Sequence, residues 1–166
     1  MMVNIKRLAR HLAMTHWQVK RIFPPKTMQV IERAIKASEA THMGEIRFVV
    51  EGALDGASLW RGQSARARAI DVFSQLRVWD TEHNNGLLIY VLLADREVEI
   101  VADRGIHVKV GAAAWETICR GMESAFREGR YTEGVESGIA AISDLLVVHA
   151  PGVRGSNELS DRPVIL

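Results

Sequence analysis

Residues 87–94 read Leu-Leu-Ile-Tyr-Val-Leu-Leu-Ala, an unbroken apolar run of eight held between polar turn formers. It is short for a buried helix and lacks the alternation of a half-exposed strand, so it predicts a strand covered on both faces. The six residues before it, Asp80, Thr81, Glu82, His83, Asn84 and Asn85, place oxygen and nitrogen donors at the strand's entry.

The flanking segments supply what such a strand requires. Val30, Ile31, Ala34 and Ile35 recur at helical spacing over residues 25–42, after Pro24 and Pro25, and Gly44 marks the end. From Glu45 the period becomes two, with Ile46, Phe48 and Val50 on one face, which predicts a strand. A glycine-rich loop carrying Trp60 and Arg61 follows, and these two residues are candidates for a contact surface or for loop packing. Ser64 is placed to cap a helix over residues 65–79, with Ala69, Val72, Phe73, Leu76 and Trp79 as its apolar stripe. Strand, helix, buried strand in that order predicts a parallel pair joined by a right-handed crossover.

Asp95-Arg96-Glu97 then suits a hairpin turn, and Val98, Ile100 and Ala102 alternate as an antiparallel strand. Ile106, Val108 and Val110 alternate again, as a further short strand or an extended connection. Two helices close the fold, one faced by Trp115, Ile118, Cys119, Met122 and Phe126, the other by Val135, Ile139, Ile142, Leu145 and Leu146. The expected architecture is a three-layer α/β/α sandwich with a mixed sheet over residues 24–150. A basic N-terminal arm (1–23) precedes it and a tail (151–166) follows, whose apolar end either lies along a sheet edge or frays.

The arm carries Lys6, Arg7, Arg10, Lys20 and Arg21, and the first acidic residue of the chain is Glu32. Ile5, Leu8 and Leu12 fall at helical spacing, so the expectation is a docked helix with a solvated basic face, with weak contact to an anionic membrane surface or to an acidic partner as the alternative. Composition excludes several classes. A net charge of +1 and the lack of a basic stripe interleaved with aromatics argue against nucleic acid. A single cysteine, Cys119, rules out an internal disulfide and fits a reducing, cytoplasmic setting. Polar residues interrupt every long apolar stretch, so no transmembrane segment is expected.

Phosphate-loop, dinucleotide-binding and nucleophile-elbow motifs are absent. Cys119 belongs to an apolar helix face, and Ala125 stands where a cysteine phosphatase loop would carry arginine. His11 and His16, five apart, do not share a helix face as a zinc pair would. Topology instead brings together one end of the sheet, where the first strand starts, the buried strand starts and the hairpin strand ends. Asp80, Glu82, Asn84, Asn85 and Asp103, with Glu45 beside them, therefore form a candidate hard-oxygen site for calcium or magnesium. A bound metal there could activate water against a phosphoester; the plainer account of Asp80 and Asn84 is that they cap a helix end and a turn.

With these residues placed, the chain resembles the TPM domain family. The resemblance rests on the helix end at Trp79, the Asn84-Asn85-Gly86-Leu87-Leu88 entry into the buried strand, the Asp95-Arg96 turn, Asp103-Arg104-Gly105 and the two closing helices, over residues 25–148. It implies an α/β/α sandwich, a small bacterial branch without a membrane anchor, and either a binding or assembly-related role with a protein partner or a calcium-associated acid phosphatase acting on phosphomonoesters. The family's aspartate-containing segment before the first helix is replaced here by Phe23-Pro24-Pro25-Lys26.

Overall fold

The computed structural model describes residues 4–153 and 155–166. Its centre is a mixed sheet of β1 (Glu45–Glu51), β2 (Gly86–Leu92), β3 (Glu97–Ala102) and β4 (Val164–Ile165), in the order β3-β2-β1-β4. β1 and β2 run parallel with Glu45 opposite Gly86, and β2 and β3 are antiparallel with Leu87 opposite Ala102. Every residue of β2 is buried. The tail takes the sheet-edge alternative: Val164 and Ile165 pair in parallel with Val49 and Val50.

The strand alternation divides the core in two. Ile46, Phe48, Val50, Leu87, Ile89, Val91, Val98 and Ile100 meet the layer of α3 (Pro25–Glu39), α7 (Ala112–Arg127) and α8 (Tyr131–His149). Val49, Leu88, Tyr90, Leu92 and Val101 meet the opposite layer, built on α4 (Gly56–Trp60) and α5 (Ala65–Gln75). The three-layer sandwich is therefore the observed fold.

Two local expectations are corrected. The helix from Ser64 ends at Gln75 rather than reaching Trp79. Arg77 turns left-handed (φ 53°), Arg77 N–H donates to Ser74 O and Val78 N–H to Phe73 O, which closes the helix by a Schellman arrangement. Val78 is thereby buried, while Trp79 swings out to 49% exposure under the Arg77 guanidinium. Residues 106–110 are neither strand nor extended connection; they lie in α6 (Arg104–Val110), which Asp103 caps. Ile106 and Val110 satisfy a four-residue spacing as well as alternation, and Val108, the residue between them, is 78% exposed.

The arm forms two helices, α1 (Ile5–Ala13) and α2 (His16–Ile22), separated by Thr15, which makes a capping box with Gln18. Val19 and Phe23 enter the core, where the Phe23 ring contacts Phe48, Phe126 and Tyr131. α1 is docked with Lys6 and Arg10 exposed, but part of its basic side is turned away from water. Arg7 and His11 face inward to Asp95 at the β2–β3 turn, at 2.7 and 3.0 Å, and Ile5 and Leu12 face outward. The Arg7 guanidinium and the His11 ring, both against a buried carboxylate, decide the orientation over the weaker pull of two aliphatic side chains.

At the C-terminal end of β1, Glu51 Oε2 accepts from Tyr90 Oη at 2.6 Å, and both Glu51 oxygens accept from Arg68 at 2.9 Å. Burial, then this bond to Glu51, pushes the Tyr90 phenol well above its ordinary value. Tyr90→Phe leaves Glu51 with both arginine bonds, so the expected loss is about 1 kcal/mol, seen as a fall of roughly 2–4 °C in melting temperature.

Candidate functional site

The end of the sheet where β1 and β2 begin and β3 ends is built by backbone pairing across a short loop. Asp103 N–H donates to Gly86 O at 2.8 Å, Gly105 N–H to Asn84 O at 3.1 Å, and Glu45 N–H to Asn85 O at 3.0 Å. Two glycines allow this closeness. A Cβ on Gly86 would lie 1.9 Å from Val78 O, and one on Gly105 would lie 2.5 Å from Asn84 O. Asn84 adopts a left-handed conformation (φ 50°), which asparagine tolerates better than most residues.

Within this frame Asn85 is 5% exposed. Its backbone N–H donates to Thr81 Oγ1 and its Nδ2 to Met43 O, while its Oδ1 is buried with no hydrogen-bond partner. Asp103 caps α6 through Oδ1, which accepts from Arg104 N–H at 2.6 Å, and its Oδ2 is likewise buried and unpartnered. Sheet pairing thus brings Asn85 and Asp103 to neighbouring strand ends, as topology led one to expect.

The other candidates stand apart. The Asp80 carboxylate is held by Arg77 Nη2 at 2.7 Å and is half exposed. The Glu82 side chain is 79% exposed, and its backbone N–H donates to Glu158 Oε2. Glu45 is buried, and its Oε2 accepts from Leu159 N–H at 3.1 Å, which fixes the tail over the site. Among the described residues, no three His, Cys, Asp or Glu side chains form a group able to hold a metal ion. Any cation here would therefore rely on amide and backbone oxygens beside the carboxylates. Next to the loop, Asn84, Arg104, Gly105, Val108 and Lys109 line an open pocket of about 520 Å³.

The family model of the TPM domain matches residues 18–145. The chain belongs to the TPM domain family. Solved structures similar to this TPM domain include the BA42 protein of the psychrophilic bacterium Bizionia argentinensis. It is 27% identical with a TM-score of 0.74, and the match covers 85% of this chain and 93% of that one. The N-terminal domain of a P. gingivalis protein is 21% identical with a TM-score of 0.62, over 75% and 76% of the two chains, and shares the fold. No curated protein sequence matches. No helix among the described residues is long and apolar enough to cross a membrane.

Sequence reading missed three clusters of this TPM domain. One is the Asp95 clamp with Arg7 and His11; another is the Glu51, Arg68 and Tyr90 network. The third lines a cleft of about 650 Å³ along the edge strand β3, where Glu123 Oε1 accepts from Val98 N–H and Arg66 Nη1 donates to Ile100 O. Those two side chains occupy edge groups that an incoming strand would use. Cys119 lines the same cleft but is buried, and burial pushes its thiol up to about 12, the opposite of what a nucleophile needs.

Proposed function

We propose that this TPM domain is a binding module, serving assembly with a protein partner, and that it takes a divalent cation, calcium or magnesium, at the β1/β2 entry. The observation that carries the reading is the pair of buried oxygens, Asn85 Oδ1 and Asp103 Oδ2, that lack protein donors on adjoining strand ends. Buried acceptors without a partner are costly, and a hard cation is a ligand that satisfies such oxygens. Asn85 and Asp103 would anchor the ion, with backbone oxygens of the loop at Asn84 and water completing the oxygen shell, while Asp80 stays with Arg77 and Glu82 stays in solvent.

Calorimetry with calcium chloride, then magnesium chloride, tests this. Calcium at a hundredfold excess over Kd is expected to stabilise the chain by about 2.7 kcal/mol, which raises the melting temperature by roughly 5–11 °C. Asp103→Asn should remove both the heat and the shift. No heat with either ion overturns the site.

A second reading, a metal-assisted phosphatase, is favoured by one observation: Arg104 and Lys109 line the pocket beside the same loop, as an anionic substrate would need. A chromogenic phosphomonoester with calcium, magnesium or chelator separates the two. Metal-dependent turnover lost in Asp103→Asn establishes the hydrolase, and turnover at background leaves the binding module.

A further inference from the structure

α1 is mounted with its polarity reversed. The inward side carries Arg7 and His11, both on Asp95, with Leu8 packed against the core beneath α5. Ile5 and Leu12, seven residues apart and so on one line of the helix, are 79% and 75% exposed. Ala9 and Ala13 are exposed beside that line, and Lys6 borders it. On α2, Trp17, Lys20 and Arg21 share one outer face at three- and four-residue spacing, with Trp17 66% exposed and Arg21 set over its ring at 5.5 Å.

The two helices thus present an apolar line and an indole, edged by cations, outside the fold's own core. We infer that this face docks on an anionic lipid surface. Charge complementarity selects the occupant: Lys6, Lys20 and Arg21 are exposed, Arg10 is half exposed beside Asp95, and no acidic residue occurs before Glu32. Aliphatic side chains exposed by three-quarters project from the helix. They suit shallow insertion between headgroups, with lysine and arginine at the phosphate level and tryptophan at the interface. The arrangement depends on the Asp95 clamp, since freeing α1 would let Ile5 and Leu12 turn toward the protein. It does not involve the β1/β2 entry, so the proposal is independent of cation binding there.

Full-length protein is sedimented with vesicles of phosphatidylcholine alone and of phosphatidylcholine with phosphatidylglycerol in equal parts. Chelator is present throughout, which excludes calcium bridging. Co-sedimentation with the anionic vesicles only, weakened by salt and accompanied by a blue shift of tryptophan emission, is expected. The double variant Ile5→Ser/Leu12→Ser should lose about tenfold in partitioning, the equivalent of one buried aliphatic side chain, with an unchanged melting temperature because both sites are exposed. Trp17→Phe should abolish most of the blue shift. Protein left in the supernatant at low salt overturns the proposal, as does binding undiminished in the double variant. A concentration-dependent dimer that the double variant dissolves would assign the face to a second copy and overturn it equally.

Discussion

Gly86→Ala is expected to be the most damaging single-methyl change in the chain. The added Cβ would stand 1.9 Å from the Val78 carbonyl oxygen and 3.0 Å from its carbon. The obstruction is backbone, fixed on one side by the Schellman closure of α5 and on the other by the parallel pairing of Gly86 with Glu45. Neither can yield by a rotamer change, so β2 or the 77–80 turn must shift as a unit. Overpacking of this kind costs about 3 kcal/mol or more, which lowers the melting temperature by roughly 6–12 °C. Thermal denaturation against Gly121→Ala provides the control. Gly121 lies within α7 with nothing within 4 Å of its Cβ position, and alanine there should stabilise by about 0.5–1 kcal/mol. Equal melting temperatures for Gly86→Ala and wild type would mean that the turn is looser than its hydrogen bonds indicate. The shift should also carry Asn85 out of place, so calcium stabilisation is expected to fall with it.

The same turn marks the limit of what the amino-acid order reveals. The apolar run of β2 was legible because both faces are covered, and Ser64 announced the start of α5. The end of α5 was not legible, because the left-handed residue is Arg77 and carries none of the signal that a glycine gives. The alternation of residues 106–110 pointed to a strand or an extended connection, and the helix that stands there instead starts from Asp103 turning from strand end to helix cap. The candidate site was half readable. Strand order alone brings Asn85 and Asp103 to one end, whereas the capture of Asp80 by Arg77 depends on the same unannounced turn. The orientation of α1 lay furthest out of reach, since its determinant, Asp95, is 88 residues from Arg7. Helical spacing records that Ile5, Leu8 and Leu12 are apolar, but not that a buried carboxylate waits for the other side of the helix.

Removing that carboxylate should be nearly as costly as the Gly86 change, with a different signature. The Asp95 side chain is 4% exposed and meets Arg7 at 2.7 Å, His11 at 3.0 Å and Arg10 at 3.4 Å. His11 Nδ1 accepts from Leu54 N–H at 3.0 Å, which leaves the opposite ring nitrogen facing Asp95. Asp95→Ala strands a fully buried imidazole and a mostly buried guanidinium, and breaking a pair from one side typically costs roughly 3–5 kcal/mol. A melting temperature lowered by about 10 °C is expected at neutral pH, together with new tryptic cleavage at Lys6, Arg7 or Arg10 as α1 comes away. The pH dependence follows from the charge. Burial alone would raise the Asp95 carboxyl, but its bonds to Arg7 and His11 outweigh burial and hold it below the ordinary value of 3.8. A carboxylate lowered on folding stabilises fully above its unfolded pKa and loses that contribution as pH falls through the folded one. The advantage of wild type over Asp95→Asn should therefore hold constant from neutral pH to about pH 4 and collapse only below it. A difference that instead faded between pH 7 and 5 would show that the clamp's strength does not come from the Asp95 charge.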